Sequence, residues 1–338
     1  MPDFFSVCTG QYKKSQKIFI IDGILTNAAV ILTSGMFLSG YLVFLNAPDF
    51  LVGLLNNTPS WALIVSLFSF LIYERMGKRK NFLITLNVTA RVLICSIVFL
   101  PLIFKDHNVI MMLTACMIIV GNVLWGIYGT GSTVWMISLV DAKKRTNYIY
   151  MRMFYLRISF TITTILMGLL LDQFNKSYTG FLIVYMISLV LSFLDAYILY
   201  HAEEPVNETV KGRKINFDEF LLPLKDKRYR HFLLSVLLFY LSITMANSFN
   251  SLYQIRYLKL SYGFISSVNV ANYMMMILFT KYWGKVETNK GVSYVMRITG
   301  FFIFTDLFVW SFVTDNTYYL LYLAAIFSGI GNSGFNIS

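Results

Sequence analysis

Polar side chains set inside apolar runs are where this chain could do chemistry. In four hydrophobic stretches they recur at i, i+3/i+4, i+7, the spacing of one helical face. These sets are Tyr240, Thr244, Asn247, Ser251 and Gln254; Asn27, Ser34 and Tyr41; Asn122, Trp125, Gly129 and Ser132; and Tyr322, Gly329, Asn332 and Asn336. Amides, hydroxyls and aromatic rings so placed offer hydrogen bonds and flat faces. They suit reversible recognition of a small polar molecule rather than bond making. The same stripes also read as contacts between helices glued by small and polar residues, and the sequence leaves both readings open.

Charges inside other apolar runs form a second set: Arg91, Arg157, Asp195 and Asp306. A charge in lipid is costly, so it faces a cavity or finds a partner. At 1.5 Å rise per residue, Arg91 and Arg157 lie roughly 10–12 Å from one end of their runs, and long arginine stems snorkel part of that way. Asp195 lies at a depth similar to Arg157, which predicts an Arg157–Asp195 pair as a structural or gating contact. Asp306 reads either as a protonatable coupling site or as an ordinary bond to a neighbouring helix. Cys8, Cys95 and Cys116 are far apart, and His107, His201 and His231 fall at loops or helix ends. No metal spacing, nucleophile–base set or Gly-x-x-x-x-Gly-Lys-[Ser/Thr] run follows from them. An enzyme, a cofactor, a metal and an ATP-driven cycle are therefore not expected.

The elements that must position these residues are membrane-spanning helices. Of 338 residues, 57% are hydrophobic and 13% charged, against roughly a quarter charged in soluble domains. A span needs roughly 20 mostly apolar residues. Ten candidates qualify, at about 22–45, 57–74, 82–104, 109–138, 148–171, 179–200, 231–253, 263–282, 292–313 and 318–337. The net charge of +11 would point to nucleic acid on a soluble protein. Here the cations sit between spans, so the lipid surface is the expected partner and nucleic acid is not. Lys13, Lys14 and Lys17, Arg75 to Lys80, Lys143 to Arg152, Lys211 to Arg230, and Lys281 to Lys290 share one side. Lys105, Lys176, Arg256 and Lys259 fall on the other. Retention of positive charge inside then predicts a cytoplasmic N-terminus in a plasma or inner membrane. A polar connection at 201–230, in which Phe217–Leu224 could lie on the membrane surface, separates six spans (1–200) from four (231–338).

Two local patterns repeat across that divide. Gly121-Asn122 near the end of the fourth span is matched by Gly331-Asn332 in the tenth, and Lys281-Tyr282-Trp283-Gly284-Lys285 weakly echoes the basic turn after the second. That turn carries the clearest motif: Glu74, Arg75, Gly77, Lys78 and Arg79. It resembles the loop between spans two and three of the major facilitator superfamily, Gly-x-Leu-Ala-Asp-Arg-x-Gly-Arg-Arg, with Phe70 and Ile72 in place of the first Gly and the Leu. Asp141–Arg152 is similar to that family's loop between spans four and five. The resemblance implies an all-α polytopic fold with a six-helix N-terminal bundle and, since that family has twelve spans, an incomplete four-helix C-terminal bundle. It implies that spans one, four, seven and ten line a central cavity, and that Glu74 pairs with cations of a neighbouring loop when the inner side is closed. It also implies a secondary active or facilitative transporter of a small solute working by alternating access, with a proton or sodium as the coupling ion where one is used. The alternative is a non-transporting scaffold or sensor, or an inactive truncated fragment. Span five lacks the Gly-Pro signature of the superfamily's drug exporters, so proton-coupled drug efflux gains no support.

Overall fold

A computed structural model describes residues 8–73, 76–205 and 226–335. Among the described residues every regular element is helical. In chain order the helices are α1 (Lys13–Ile31), α2 (Gly35–Phe44), α3 (Asp49–Asn56), α4 (Thr58–Ser66), α5 (Phe70–Tyr73), α6 (Lys80–Ser96) and α7 (Leu100–Ile103). There follow α8 (His107–Ser138), α9 (Arg145–Gln173), α10 (Tyr178–Tyr200), α11 (Lys227–Leu252), α12 (Tyr262–Lys290), α13 (Val292–Trp310) and α14 (Leu320–Phe335).

Seven of the expected spans are long and apolar enough to cross a membrane: Lys13–Phe44, Lys80–Ile103, His107–Ser138, Asn147–Gln173, Tyr178–Tyr200, Tyr262–Lys290 and Val292–Trp310. The other three are helical too. Thr58–Tyr73 comes in short pieces, Lys227–Leu252 has 26 residues, and Leu320–Phe335 is a shorter apolar helix. Large apolar side chains stay on the outside, with Met112 70% and Phe301 68% exposed, as hydrocarbon solvent permits and water would not.

The first span is broken where Thr33, Ser34 and Gly35 meet. Thr33 and Ser34 turn their hydroxyls back onto the carbonyls of Ala29 and Val30, which bends helices. Gly35 takes a positive φ of 52°, a conformation open to glycine and disfavoured for residues with a Cβ.

Two compact units divide the chain. One takes Met1–Asp22, Ala47–Arg145 and Ser192–Ser251; the other takes Gly23–Asn46, Thr146–Leu191 and Leu252–Ser338. In the first unit α4 and α6 pack along α8. Small residues on α8 make that approach possible: a Cβ at Gly126 would stand 3.1 Å from the Ala62 carbonyl oxygen, and one at Gly121 would stand 3.2 Å from that of Ala90. Without a hydrophobic force between helices in lipid, such close contact is what holds them.

The second unit has an aromatic centre. Tyr41 and Phe37, both fully buried, pack with Phe181, Tyr185 and Tyr262. Its α14 packs on α12 and α13. Gly329 admits the backbone of Asn272, whose carbonyl oxygen lies 2.5 Å from where a Cβ would be.

Candidate functional site in the groove between α4 and α8

The N-terminal end of α4 opens with Thr58-Pro59-Ser60, small and polar. Opposite it, one face of α8 presents Asn122, Trp125, Gly126 and Gly129. Between them lies a cavity of about 520 Å³, lined also by Leu63 and Thr130. Its size falls within the range of small-molecule sites, roughly 300–1,000 Å³. Gly129 leaves open space where a side chain would stand.

The polar groups here are partly committed. The Asn122 amide donates to the Thr58 hydroxyl and to the Ile118 carbonyl, both at 2.9 Å. That fixes the amide and leaves its carbonyl oxygen as an acceptor. Thr130 and Thr133 donate to the carbonyls of Gly126 and Gly129, so their oxygen lone pairs can accept. The indole N–H of Trp125 has no partner among the described residues. The site can therefore offer two donors, the Trp125 indole N–H and the Ser60 hydroxyl, with several acceptors and a ring face. That is a recognition set for a polar molecule.

Behind the groove lies a charge. The guanidinium of Arg91, 3% exposed, sits 3.7 Å from the centre of the Trp125 ring. Tyr128 packs against the same ring at 4.9 Å. The charge of Asp195 acts on Arg91, and the Asp195 carboxylate accepts from Asn87 at 2.8 Å. Cation and carboxylate, each expensive in this setting, are thus built into the packing of the aromatic wall. Among the described residues no group of three or more His, Cys, Asp and Glu could hold a metal ion.

A model of the major facilitator superfamily matches residues 19–338. The chain belongs to the major facilitator superfamily. Solved structures agree on the fold. A crystal structure of a mutant of the nucleoside transporter NupG superposes with TM-score 0.74 at 15% identity, covering 96% of this chain and 81% of that one. A D-xylose–proton symporter gives TM-score 0.66 at 13% identity, over 96% and 80%. A bacterial homologue of the iron transporter ferroportin, in an inward-facing state, gives 0.66 at 13%, over 97% and 83%. No curated protein sequence matches. Family and fold make this superfamily member a multi-pass membrane protein of a transporter class.

The other residues expected from sequence have varied settings. Asn27 donates to the Leu156 carbonyl at 2.8 Å, Ser34 bonds back along its own helix, and Tyr41 lies within the aromatic centre. Ser132 is half-buried beside the groove. Asn247 is exposed and accepts from Asn250, while Thr244 and Ser251 are half-buried. Tyr240 lies on α11, and its side chain is outside the described set. Asn332 donates to Ser328 at 3.1 Å, and Ser328 with Trp310 bonds the buried carboxylate of Asp306. Asn332 and Asp306 are thus linked between α13 and α14.

Of the two residues expected to pair, Arg157 donates to Thr280 at 3.2 Å within the second unit, and Asp195 accepts from Asn87 at 2.8 Å within the first. Of the loop motif, Glu74 and Arg75 lie outside the described residues, as do Asn336 and Phe217–Leu224. Gly77 and Lys78 are in the described turn, and Arg79 precedes α6.

Sequence reasoning missed three groups. Thr58 and Ser60 form the second wall of the groove. Glu204, from the connection after α10, accepts from the backbone N–H groups of Arg79 and Lys80 (3.1 Å at Lys80). Asp172, near the end of α9, accepts from the N–H groups of Tyr262 at 2.8 Å and Gly263 at 2.6 Å. For Glu204 and Asp172 the sequence offers only an acid and a helix start far apart in the chain, which no spacing rule pairs.

Proposed function

We propose that this protein is a secondary transporter that carries a small polar solute by alternating access, with the groove between α4 and α8 as part of the solute path. One observation carries this reading: Trp125, held from behind by Arg91, and Asn122, fixed by Thr58, line a cavity large enough for a small molecule. Their i, i+3 spacing puts them on one helical face. The nucleoside and xylose transporters of the same fold set the first solutes to try, since both solutes combine rings with many hydroxyls. Coupling to a proton or sodium gradient belongs to the same reading. Asp306 is the assigned carboxylate for it, because one of its oxygens is buried without a hydrogen-bond partner among the described residues. No covalent chemistry is assigned to the chain, and its place is a plasma or inner membrane with the N-terminus inside.

The test is uptake by liposomes holding the purified full chain. The panel is adenosine, uridine, xylose and ribose with their phosphorylated forms, under imposed proton or sodium gradients. Trp125→Ala is expected to cut uptake about tenfold or more, since ring stacking and cation–π contacts in desolvated sites are worth about 1–2 kcal/mol. Uptake that does not change in Trp125→Ala and Asn122→Ala removes the groove from the path. No flux of any solute would favour the scaffold alternative.

A further inference from the structure

In the second unit a small cavity of about 150 Å³ lies between α9 and α12. It is lined by Tyr150, Met153, Phe154, Arg157, Ile277 and Thr280. Its chemistry is lopsided. Apart from the Tyr150 and Thr280 hydroxyls its walls are apolar, and the only charge on them is the guanidinium of Arg157. We propose that Arg157 anchors an oxyanion subsite, and that the carried solute bears a carboxylate or phosphate that binds there. This inference rests on the transport reading and narrows its substrate to anions.

The argument starts from the cost of the charge. Arg157 stands ten residues inside the 27-residue span that begins at Asn147; the helix is about 40 Å long against a hydrocarbon layer about 30 Å thick, which puts Arg157 roughly 10 Å into that layer. Arginine keeps its proton in proteins, so a cation is held at that depth. Two buried intramembrane charges named above have compensation: Arg91 feels Asp195, and Asp306 receives bonds from Ser328 and Trp310. Arg157 has one hydrogen-bond partner among the described residues, the Thr280 hydroxyl at 3.2 Å, and no carboxylate.

The geometry then says what is missing. Thr280 spends its own proton on the Met276 carbonyl, so toward Arg157 it can only accept. One N–H of the guanidinium is taken, and the fork that pairs with two oxygens of a carboxylate or phosphate is left for a ligand. The Phe160 and Tyr273 rings lie tilted against each other, centres 4.1 Å apart, and the Tyr273 hydroxyl lies within electrostatic reach of Arg157, which adds a donor nearby. A lipid phosphate offers the same oxyanion from another source. Snorkelling shortens the path to the headgroups, but the depth favours an anion brought in by the solute.

The experiment uses the purified full chain, with calorimetric binding and liposome flux read side by side. The probes are inorganic phosphate, succinate, ribose 5-phosphate and adenosine monophosphate, each run beside ribose and adenosine. At least one anion is expected to bind and cross in preference to its neutral counterpart. Arg157→Gln should weaken its binding about tenfold or more, the loss of a charge-assisted hydrogen bond. Arg157→Lys keeps the charge but loses the fork and should fall between. The thermal transition of each variant, with and without the anion, controls for folding.

Neutral solutes carried equally well by wild type and Arg157→Gln would overturn the inference and leave the transport reading intact. Arg157-dependent binding of anions without flux of any solute would overturn the transport reading, and with it the claim that the anion is carried, while leaving the oxyanion subsite at Arg157 in place. To separate the sources, binding is repeated in phosphatidylcholine bilayers with and without phosphatidylglycerol. Arg157-dependent stabilisation by phosphatidylglycerol alone, with no solute anion bound, would assign the oxyanion to lipid and overturn the substrate claim.

Discussion

Arg91 and Asp195 carry opposite charges in the interior of the first unit, and their worth depends on each other. Removing one member of a buried charged set costs about 3–5 kcal/mol, whereas replacing both with apolar residues of like size is often neutral or better. Arg91→Met alone should therefore lower the thermal transition of the detergent-solubilised protein markedly. Arg91→Met with Asp195→Leu should recover most of the loss. A double variant no more stable than the single one would mean that Arg91 acts chiefly through Trp125. The difference between Asn122 and Tyr41 shows what a stripe of residues can and cannot tell. Both were expected on helical faces, and Asn122 reaches a cavity while Tyr41 is packed among rings. The spacing Asn27, Ser34, Tyr41 assumes an unbroken helix. Gly35, at positive φ between α1 and α2, resets the phase, so the seven-residue interval no longer marks one face.

Helix ends were the least legible elements. The sequence places α6 within a few residues, but its N-terminus is completed by a carboxylate more than a hundred residues away. Glu204 meets the first amides of α6, while Lys80 reaches the Ala202 carbonyl at 2.8 Å and Trp135 donates to that of Glu203 at 2.9 Å. A helix start leaves N–H groups unsatisfied, and an acid there is favoured by the dipole as well. Glu204→Ala should cost about 1–2 kcal/mol and speed hydrogen exchange at Arg79 and Lys80. Exchange unchanged at those two amides would count against the cap. Beside the loop that carries the family resemblance, Glu204 supplies the carboxylate that meets the first amides of α6.

For the whole molecule, the all-α class, the superfamily and seven of the ten expected spans were readable because lipid imposes long apolar helices and charge-marked loops. The division into two units was not readable. The unit boundaries cut through α1 and α10, and nothing in hydropathy marks such a cut within a span. Orientation is open to direct measurement. In a variant with Cys8, Cys95 and Cys116 changed to Ser, a cysteine at Lys105 should react with an impermeant maleimide added to intact cells. A cysteine at Lys143 should react only after permeabilisation. The opposite pattern would invert the topology.

The contact between Asp172 and α12 has a consequence for genetics. The donating side is backbone: the amides of Tyr262 and Gly263, while Lys176 donates to the Leu260 carbonyl at 2.9 Å. Every amino acid except proline supplies the same N–H. Random mutagenesis can thus break this tie from the α9 side with almost any change at Asp172, but from the α12 side only by introducing proline. A selection for variants with altered gating should return Asp172 repeatedly. Changes recovered at 262 or 263 would act through their side chains, as with the Tyr262 ring beside Gly40, and would leave the tie itself in place.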